Sequence, residues 1–275
     1  MFSIARKLRR ENRTIAFVPT MGSLHEGHLE LIKQARQMSD AVIVSIFVNP
    51  TQFNDRADLE RYPRDLAGDA ALLADYDVDY IFAPELHEIY PDGFATYISV
   101  EGLTDSLEGA SRPGHFRGVA TVVTILLNTI RPDFAVFGQK DAQQVSVVKR
   151  LTRDLGFETE IVSVPTVREP SGLALSSRNS LLTAGERERA SVIYRALSEA
   201  KEAASAGQRN ASKLAEMVTK TVSAEPLANI DYIAVVDADT LEPIEKIGDR
   251  EAMIAIAVRF GEIRLIDNVK IGKRQ

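Results

Sequence analysis

Two histidines three positions apart, His25 and His28, lie in the run Pro19-Thr20-Met21-Gly22-Ser23-Leu24-His25-Glu26-Gly27-His28. Imidazoles on either side of a glycine can donate hydrogen bonds to phosphate oxygens. The glycine lets a flat base or a phosphate come close to the backbone. The run sits where an apolar segment gives way to helical periodicity. In open parallel sheets, ligands bind at the carboxyl ends of the strands. A helix N-terminus placed there offers N–H groups and a partial positive charge to phosphates. The plain alternative is a helix start with two surface histidines. A metal site has less support, because no acidic or histidine partner stands nearby in sequence.

Four further groups carry chemistry-bearing side chains. Phe137-Gly138-Gln139-Lys140-Asp141 again joins a strand to a helix. Lys140 can place a positive charge on a phosphate, and Asp141 can cap the helix or approach a phosphate-bound magnesium ion. Leu175-Ser176-Ser177-Arg178-Asn179, after Ser171-Gly172, offers two hydroxyls and a guanidinium that can wrap phosphates, or it is a linker capping the next helix. Asn49-Pro50-Thr51-Gln52-Phe53 follows the second strand, and Gln143 and Gln144 follow Lys140. Glutamines are usually surface residues, but near strand ends they can hold a small polar molecule. Arg112-Pro113-Gly114-His115-Phe116-Arg117-Gly118 reads as a turn opening a helix, and as a candidate lid or substrate loop. His87 reads as a surface residue.

The elements that must position these groups follow from periodicity. Thr14–Val18 reads as a buried strand ended by Pro19, and a helix runs from near His28 to Met38. Ala41–Phe47 is a second buried strand, Leu59–Ala74 a helix, and Tyr80–Ala83 a short strand. Phe116–Ile130 is a helix, Phe134–Phe137 a strand, Ala142–Leu155 a helix and Glu158–Val164 a strand. Strands alternating with helices predict an α/β fold with a parallel sheet. Near-continuous apolar strands predict that both sheet faces are covered. After about residue 180 the pattern changes. Two helices, Thr183–Ala206 and Ala211–Ser223, precede strands at Ile230–Val236, Met253–Val258 and Ile263–Ile266. The expectation is a Rossmann-like first domain over residues 1–179 and a smaller α+β domain over 180–275.

Composition narrows the class. The chain has 275 residues and no cysteine, which rules out disulfides, thiolate zinc sites and a cysteine nucleophile, and fits a reducing, cytoplasmic setting. The net charge is −6, and a nucleic-acid partner would ask for a basic face. The one dense basic run, Arg6, Lys7, Arg9 and Arg10, reads as the solvated face of a first helix. No apolar run approaches the ~20 residues that span a bilayer. The basic N-terminus lacks the apolar stretch of a secretory signal.

Taken together, these segments resemble the pantothenate synthetase family, within the H-x-G-H nucleotidyltransferase superfamily. Six blocks appear in the family's order: Phe17–Gly22 running into His25–His28, Phe47–Phe53, Tyr62–Asp65, Arg112–Val119, Phe137–Asp141, and Arg168-Glu169 through Ser176–Asn179. The resemblance spans roughly residues 13 to 270. It implies a Rossmann-like domain, a smaller C-terminal lid and a homodimer. It also implies condensation of D-pantoate with β-alanine, driven by ATP through a pantoyl-adenylate, with Mg2+ held mainly by the ATP phosphates. Met21, Gly22, Ser23, Leu24, His25, Glu26, Gly27 and His28 would line the ATP site, with His28 catalytic and His25 helping to hold phosphates. Gly138, Gln139, Lys140, Asp141, Val167, Leu175, Ser176, Ser177 and Arg178 would complete it, Lys140 and Arg178 supplying charge. Gln52 and Gln144 would bind pantoate, and Gln52 also β-alanine. Four positions depart from the family's usual residues: Ser171 for Asp, Leu175 for Met, Ala142 for Tyr and Gln139 for Glu.

Other readings of the histidine turn predict different neighbours. A mononucleotide adenylyltransferase would need basic residues for a phosphorylated acceptor. A truncated aminoacyl-tRNA synthetase fits poorly with an acidic chain. A nucleotide sensor would bind ATP without turnover. A dinucleotide-dependent dehydrogenase would carry G-x-G-x-x-G after the first strand, which is missing here.

Overall fold

The structure is a computed structural model and describes residues 1–272. The chain groups into two compact units. The first comprises residues 1–139 and 143–165, and the second comprises residues 140–142 and 166 onward. The segment from Thr166 to Asn179, which the sequence reading assigns to the first domain, therefore groups with the second. Ion pairs within the second unit account for this, as Arg168 binds Asp267 and Glu169 binds Arg187.

The first unit is a five-stranded parallel sheet in the order β3-β2-β1-β4-β5. Its strands are β1 (Ile15–Thr20), β2 (Ala41–Ile46), β3 (Tyr80–Phe82), β4 (Phe134–Gly138) and β5 (Glu160–Val164). β1, β2 and β4 are buried on both faces because their apolar runs do not alternate. Ala16, Val18, Val42, Val44 and Val136 pack against Leu29, Ile32 and Ala35 of the helix Glu26–Met38. Ile15, Phe17, Ile43 and Ala135 on the opposite face are equally buried. Each such side chain contributes about 1.5–3 kcal/mol of transfer free energy.

Two readings of the sequence need correction here. Pro19 does not end β1, which runs on through Thr20 in register with β2. The Thr14 and Thr20 carbonyls accept bonds from the β2 side, from Ala41 and Phe47, whereas the Ile15 carbonyl faces Asp133. Odd residues of β1 thus point toward β4, whose pairing with β1 covers only Ala16 and Phe17. The N–H that proline lacks would have had no ladder partner at position 19. The expected helix Leu59–Ala74 is two helices, Arg56–Arg61 and Leu66–Leu73. Tyr62 is extended at ψ 125°, as a residue before proline tends to be. Asp65 then caps the second helix through the Gly68 N–H.

The second unit packs the helices Val192–Ser205 and Ala211–Ser223 on an antiparallel sheet of β6 (Ala228–Asp237), β7 (Ala252–Phe260) and β8 (Ile263–Ile271). Ile254, Ile256, Val258 and Phe260 of β7 meet Leu197, Leu214 and Val218 in its core. The single helix expected over Thr183–Ala206 is divided into Ala184–Ala190 and Val192–Ser205. At the junction the Ser191 hydroxyl bonds back to the Glu188 carbonyl at 2.6 Å, a local alternative to helical bonding. β8 extends five residues past the expected Ile266, to Ile271.

Three aspartates close the amino edge of the parallel sheet. Asp40 accepts the Thr14 N–H at 2.9 Å, Asp133 the Ile15 N–H at 2.7 Å and Asp79 the Val42 N–H at 2.8 Å. The Thr14 N–H and hydroxyl hold the Asp40 carboxyl below its ordinary value. Burial works to raise Asp79, but the Val42 N–H and the Arg36 guanidinium outweigh it and the net shift is downward. A carboxyl lowered by folding adds stability above its unfolded pKa, and that stability is lost as pH falls through the folded value. Asp79→Asn should therefore melt below wild type at pH 7, with the gap closing between about pH 4 and pH 2. Thermal melts at both ends of that range test this, and a gap of constant size would contradict it.

Candidate active site

β1 is the central strand, and the strand order reverses beside it. β2 and β3 lie on one side and β4 and β5 on the other. Such a switch point leaves a crevice at the carboxyl ends of the strands. The segment Met21–His28 leaves the end of β1, and Gly138 and Gln139 lie at the end of β4.

The turn after β1 is held almost wholly by its own surroundings. Gly22 adopts φ +80°, and a Cβ there would lie 2.8 Å from Asp69 Oδ2. Left-handed backbone and close approach both demand glycine at this position. Asp69, buried in the helix Leu66–Leu73, accepts the Ser23 N–H at 2.9 Å and the Leu24 N–H at 2.8 Å, one on each oxygen. The Gly22 N–H reaches the Thr20 hydroxyl. His25 caps the following helix: its Nδ1 accepts the Gly27 N–H at 3.1 Å, while His28 Nδ1 accepts the His25 N–H at 3.3 Å. The two rings lie 4.1 Å apart, centroid to centroid.

This geometry changes what the turn can offer a phosphate. The sequence suggests free backbone N–H groups at a helix start, but those of Gly22, Ser23, Leu24, His25 and Gly27 already have acceptors. A neutral histidine whose Nδ1 accepts a bond carries its proton on Nε2. The backbone that each ring caps through Nδ1 fixes its orientation. Asp69 escapes sequence reasoning, because an aspartate inside a helix carries no local signal of its distant partners.

A second network fixes Gln52. The Gly118 carbonyl can only accept, and Asn49 Nδ2 donates to it at 3.1 Å. The same Nδ2 donates to Gln52 Oε1 at 2.9 Å. Asn49 Oδ1 accepts from the Tyr90 hydroxyl at 2.8 Å and the Thr51 hydroxyl at 2.9 Å. Burial pushes the Tyr90 phenol above its ordinary value, so it keeps its proton and remains a donor. Polarity thus passes from one backbone carbonyl through Asn49 to Gln52, whose Nε2 is left as the donor end of its amide. The Gln52 carbonyl in turn accepts from Arg112 at 3.1 Å and His115 Nδ1 at 2.8 Å. A Cβ at Gly118 would lie 2.4 Å from the Thr51 carbonyl oxygen, which explains why that helix position is glycine. The segment Arg112–Gly118, a candidate lid in sequence, serves here to anchor Gln52. Asn49, Tyr90 and His115 were not read as site residues. The signal available for two of them was membership of the same short runs as Gln52 and Arg112.

Gln144 is half-buried on the helix Ala142–Asp154. Its neighbour Gln143 is structural: it accepts the Glu108 N–H and donates to the Leu103 and Ser106 carbonyls. Gln139 accepts the Ser163 hydroxyl at 2.9 Å. His87 is exposed, as expected.

The remaining expected site residues belong to the second unit. Lys140 and Asp141 lie in a short 3-10 turn, 3.6 Å apart from Nζ to Oδ1. Leu175 donates its N–H to the Val167 carbonyl. Ser176 caps the 3-10 turn Ser177–Leu181 by accepting the Arg178 N–H at 3.3 Å. Asn179 is buried and ties this turn to Glu169 and to the Ala174 carbonyl. Ser171, which departs from the usual family residue, accepts the Leu173 N–H at 3.4 Å.

Removing the Asp69 carboxylate would strand two N–H groups of the histidine turn. A buried donor left without a partner costs about 1–3 kcal/mol. Asp69→Ala should lose stability of that order in a urea titration and lose activity beyond what the stability change explains. Wild-type values for both would contradict the role given to Asp69.

Comparison with known proteins places the whole chain. A family model described as Pantoate-beta-alanine ligase matches residues 1–270. A pantothenate synthetase from Pelotomaculum thermopropionicum is 53% identical over 271 residues, covering 98% of this chain and 96% of that protein. The crystal structure of a pantothenate synthetase from Thermus thermophilus aligns with a TM-score of 0.91 at 47% identity, covering 98% of each chain. A pantoate-beta-alanine ligase from Francisella tularensis, crystallised with beta-gamma ATP and beta-alanine, aligns with a TM-score of 0.78 at 40% identity, covering 98% of this chain and 95% of that one. With a family match over nearly its full length and relatives at about half identity, the chain belongs to the pantoate-beta-alanine ligase family.

Proposed function

We propose that this chain condenses D-pantoate with β-alanine at the expense of ATP, releasing AMP and pyrophosphate, by way of a pantoyl-adenylate. The observation that carries the reading is the histidine turn at the switch point, whose two rings are held by the backbone through Nδ1 within a chain of this family. The Francisella tularensis relative, crystallised with beta-gamma ATP and beta-alanine, supports both as substrates.

A carboxylate resists attack by an amine because it has no good leaving group. In the first step a pantoate carboxylate oxygen attacks the α-phosphorus of ATP, and pyrophosphate leaves. Negative charge grows on the transferring phosphoryl group and on the leaving pyrophosphate. Donors already aimed at that charge stabilise the transition state more than the ground state. His28, His25, Lys140 and Arg178 take this role in the present reading. Met21–Gly27, Gly138–Asp141, Val167 and Leu175–Ser177 are the remaining ATP contacts in this reading.

Gln52 and Gln144 orient pantoate. A guanidinium on the pantoate carboxylate would withdraw charge and weaken the nucleophile, whereas a neutral amide orients it without that loss. The donor polarity imposed on Gln52 by Asn49 suits a carboxylate, which can only accept. In the second step the β-alanine amine attacks the acyl carbon and AMP leaves. The attacking amine must be neutral, and a lysine-like amine with a pKa near ~10.4 is only about 0.04% neutral at pH 7. The rate of this step should therefore rise with pH until the amine is deprotonated.

Magnesium belongs to the same proposal. Among the described residues no three His, Asp or Glu side chains converge on a point that could cage an ion. A nucleotide's phosphate oxygens are the ligands magnesium prefers, and the ion would neutralise charge on them. Among the described residues no helix is long and apolar enough to cross a membrane. The cytoplasmic setting and the homodimer remain part of this reading, and sedimentation at several concentrations tests the dimer.

The decisive experiment measures pyrophosphate release from ATP and magnesium with D-pantoate present and β-alanine withheld. A stoichiometric burst that requires pantoate, followed by turnover on adding β-alanine, is expected. ATP binding without pantoate-dependent release would sink the adenylate route. His28→Ala should slow the burst by about 10²–10³-fold while the protein stays folded, the usual scale for one preorganised donor. Gln52→Ala should weaken pantoate binding in calorimetry more than ATP binding, and equal losses would count against its assignment.

A further inference from the structure

Two adjacent residues of β8, outside every block that carries the family resemblance, hold segments bearing expected nucleotide-site residues. Asn268, 5% exposed, donates from Nδ2 to the Lys140 carbonyl at 2.9 Å, across 128 positions of sequence. Asp267, 4% exposed, binds the Arg168 guanidinium through both oxygens, at 2.5 and 3.0 Å, and also accepts the Asn268 N–H at 2.8 Å. Arg168 lies 3.9 Å over the Tyr194 ring and donates to the Gly172 carbonyl at 3.1 Å. Consecutive side chains of a strand point to opposite faces of its sheet. Asp267 therefore reaches the segment leading to Leu175–Arg178 from one face of β8, and Asn268 reaches the Lys140 turn from the other.

We propose that Asp267 and Asn268 are a positioning pair, setting the main chain of Lys140 and of the Arg168–Arg178 segment for phosphate binding without touching substrate. The chemistry supports a positioning role over simple core packing. A carboxylate and an amide are poor fillers for an apolar core. Each of these two makes a side-chain bond to a segment that carries a cation. The inference rests on the reading of Lys140 and Arg178 as phosphate-binding residues.

The test compares Asn268→Ala, Lys140→Met and the double variant by steady-state kinetics, with a thermal melt of each. Asn268→Ala should fold and lose about tenfold in kcat/KM for ATP, the equivalent of one buried hydrogen bond. KM for pantoate should stay within about twofold of wild type, well inside the scale of one lost contact. The double variant should be no worse than Lys140→Met alone, because Asn268 acts through Lys140. Wild-type kcat/KM for ATP in folded Asn268→Ala overturns the proposal, and so does a double variant whose losses multiply. If Lys140→Met keeps wild-type ATP kinetics, the reading of Lys140 falls first and this inference falls with it. Should Asn268→Ala fail to fold, Asn268→Ser offers the same comparison with a shorter donor.

Discussion

The first unit depends on one constraint: the backbone N–H groups of a tight turn must find acceptors before any ligand arrives. Ser23 and Leu24 give theirs to Asp69, and His25 and Gly27 give theirs to the two imidazoles. Orphan N–H groups at a helix start need partners, and here two of the partners are the imidazoles of His25 and His28. One pair of rings thus caps both the turn and the helix that follows it. The cap fixes each ring through its Nδ1. Gly22 and Asp69 follow from this, one by fitting the left-handed bend and the other by closing it.

The two edges of the parallel sheet divide the labour. At the amino edge, Asp40, Asp79 and Asp133 receive the first N–H groups of β1 and β2 and contribute to stability. At the carboxyl edge the turns after β1, β2 and β4 carry histidines and amides instead. A parallel sheet makes this separation natural, since all its strand ends of one kind share an edge. Changes at the acidic edge should show in melting curves, and changes at the other edge in kinetics.

Much of this architecture was legible in the sequence. The buried strands stood out because β1, β2 and β4 are covered on both faces and read as unbroken apolar runs. The histidine turn stood out because its residues are consecutive. Helix ends were harder. Tyr62-Pro63 divides one expected helix and Ser191 another, through local backbone preferences that a long apolar period conceals. Pro19 misled in the opposite sense, because the harm a proline does depends on which neighbour its missing N–H would face. Asp69, Tyr90, Asp267 and Asn268 could not be found by spacing at all. Their partners lie between 39 and 128 positions away along the chain, and only the fold brings them together.

The grouping of Lys140–Ala142 with the second unit has a consequence for dissecting the chain. The backbone passes from one unit to the other after Gln139, returns after Ala142, and leaves again after Pro165. A module joined by a single tether can be shuffled, fused or lost as a cassette. Here a cut after residue 165 separates the Lys140 turn from the Asn268 amide that holds it. A fragment of residues 1–165 would therefore keep Lys140 but lose the side chain that holds its carbonyl.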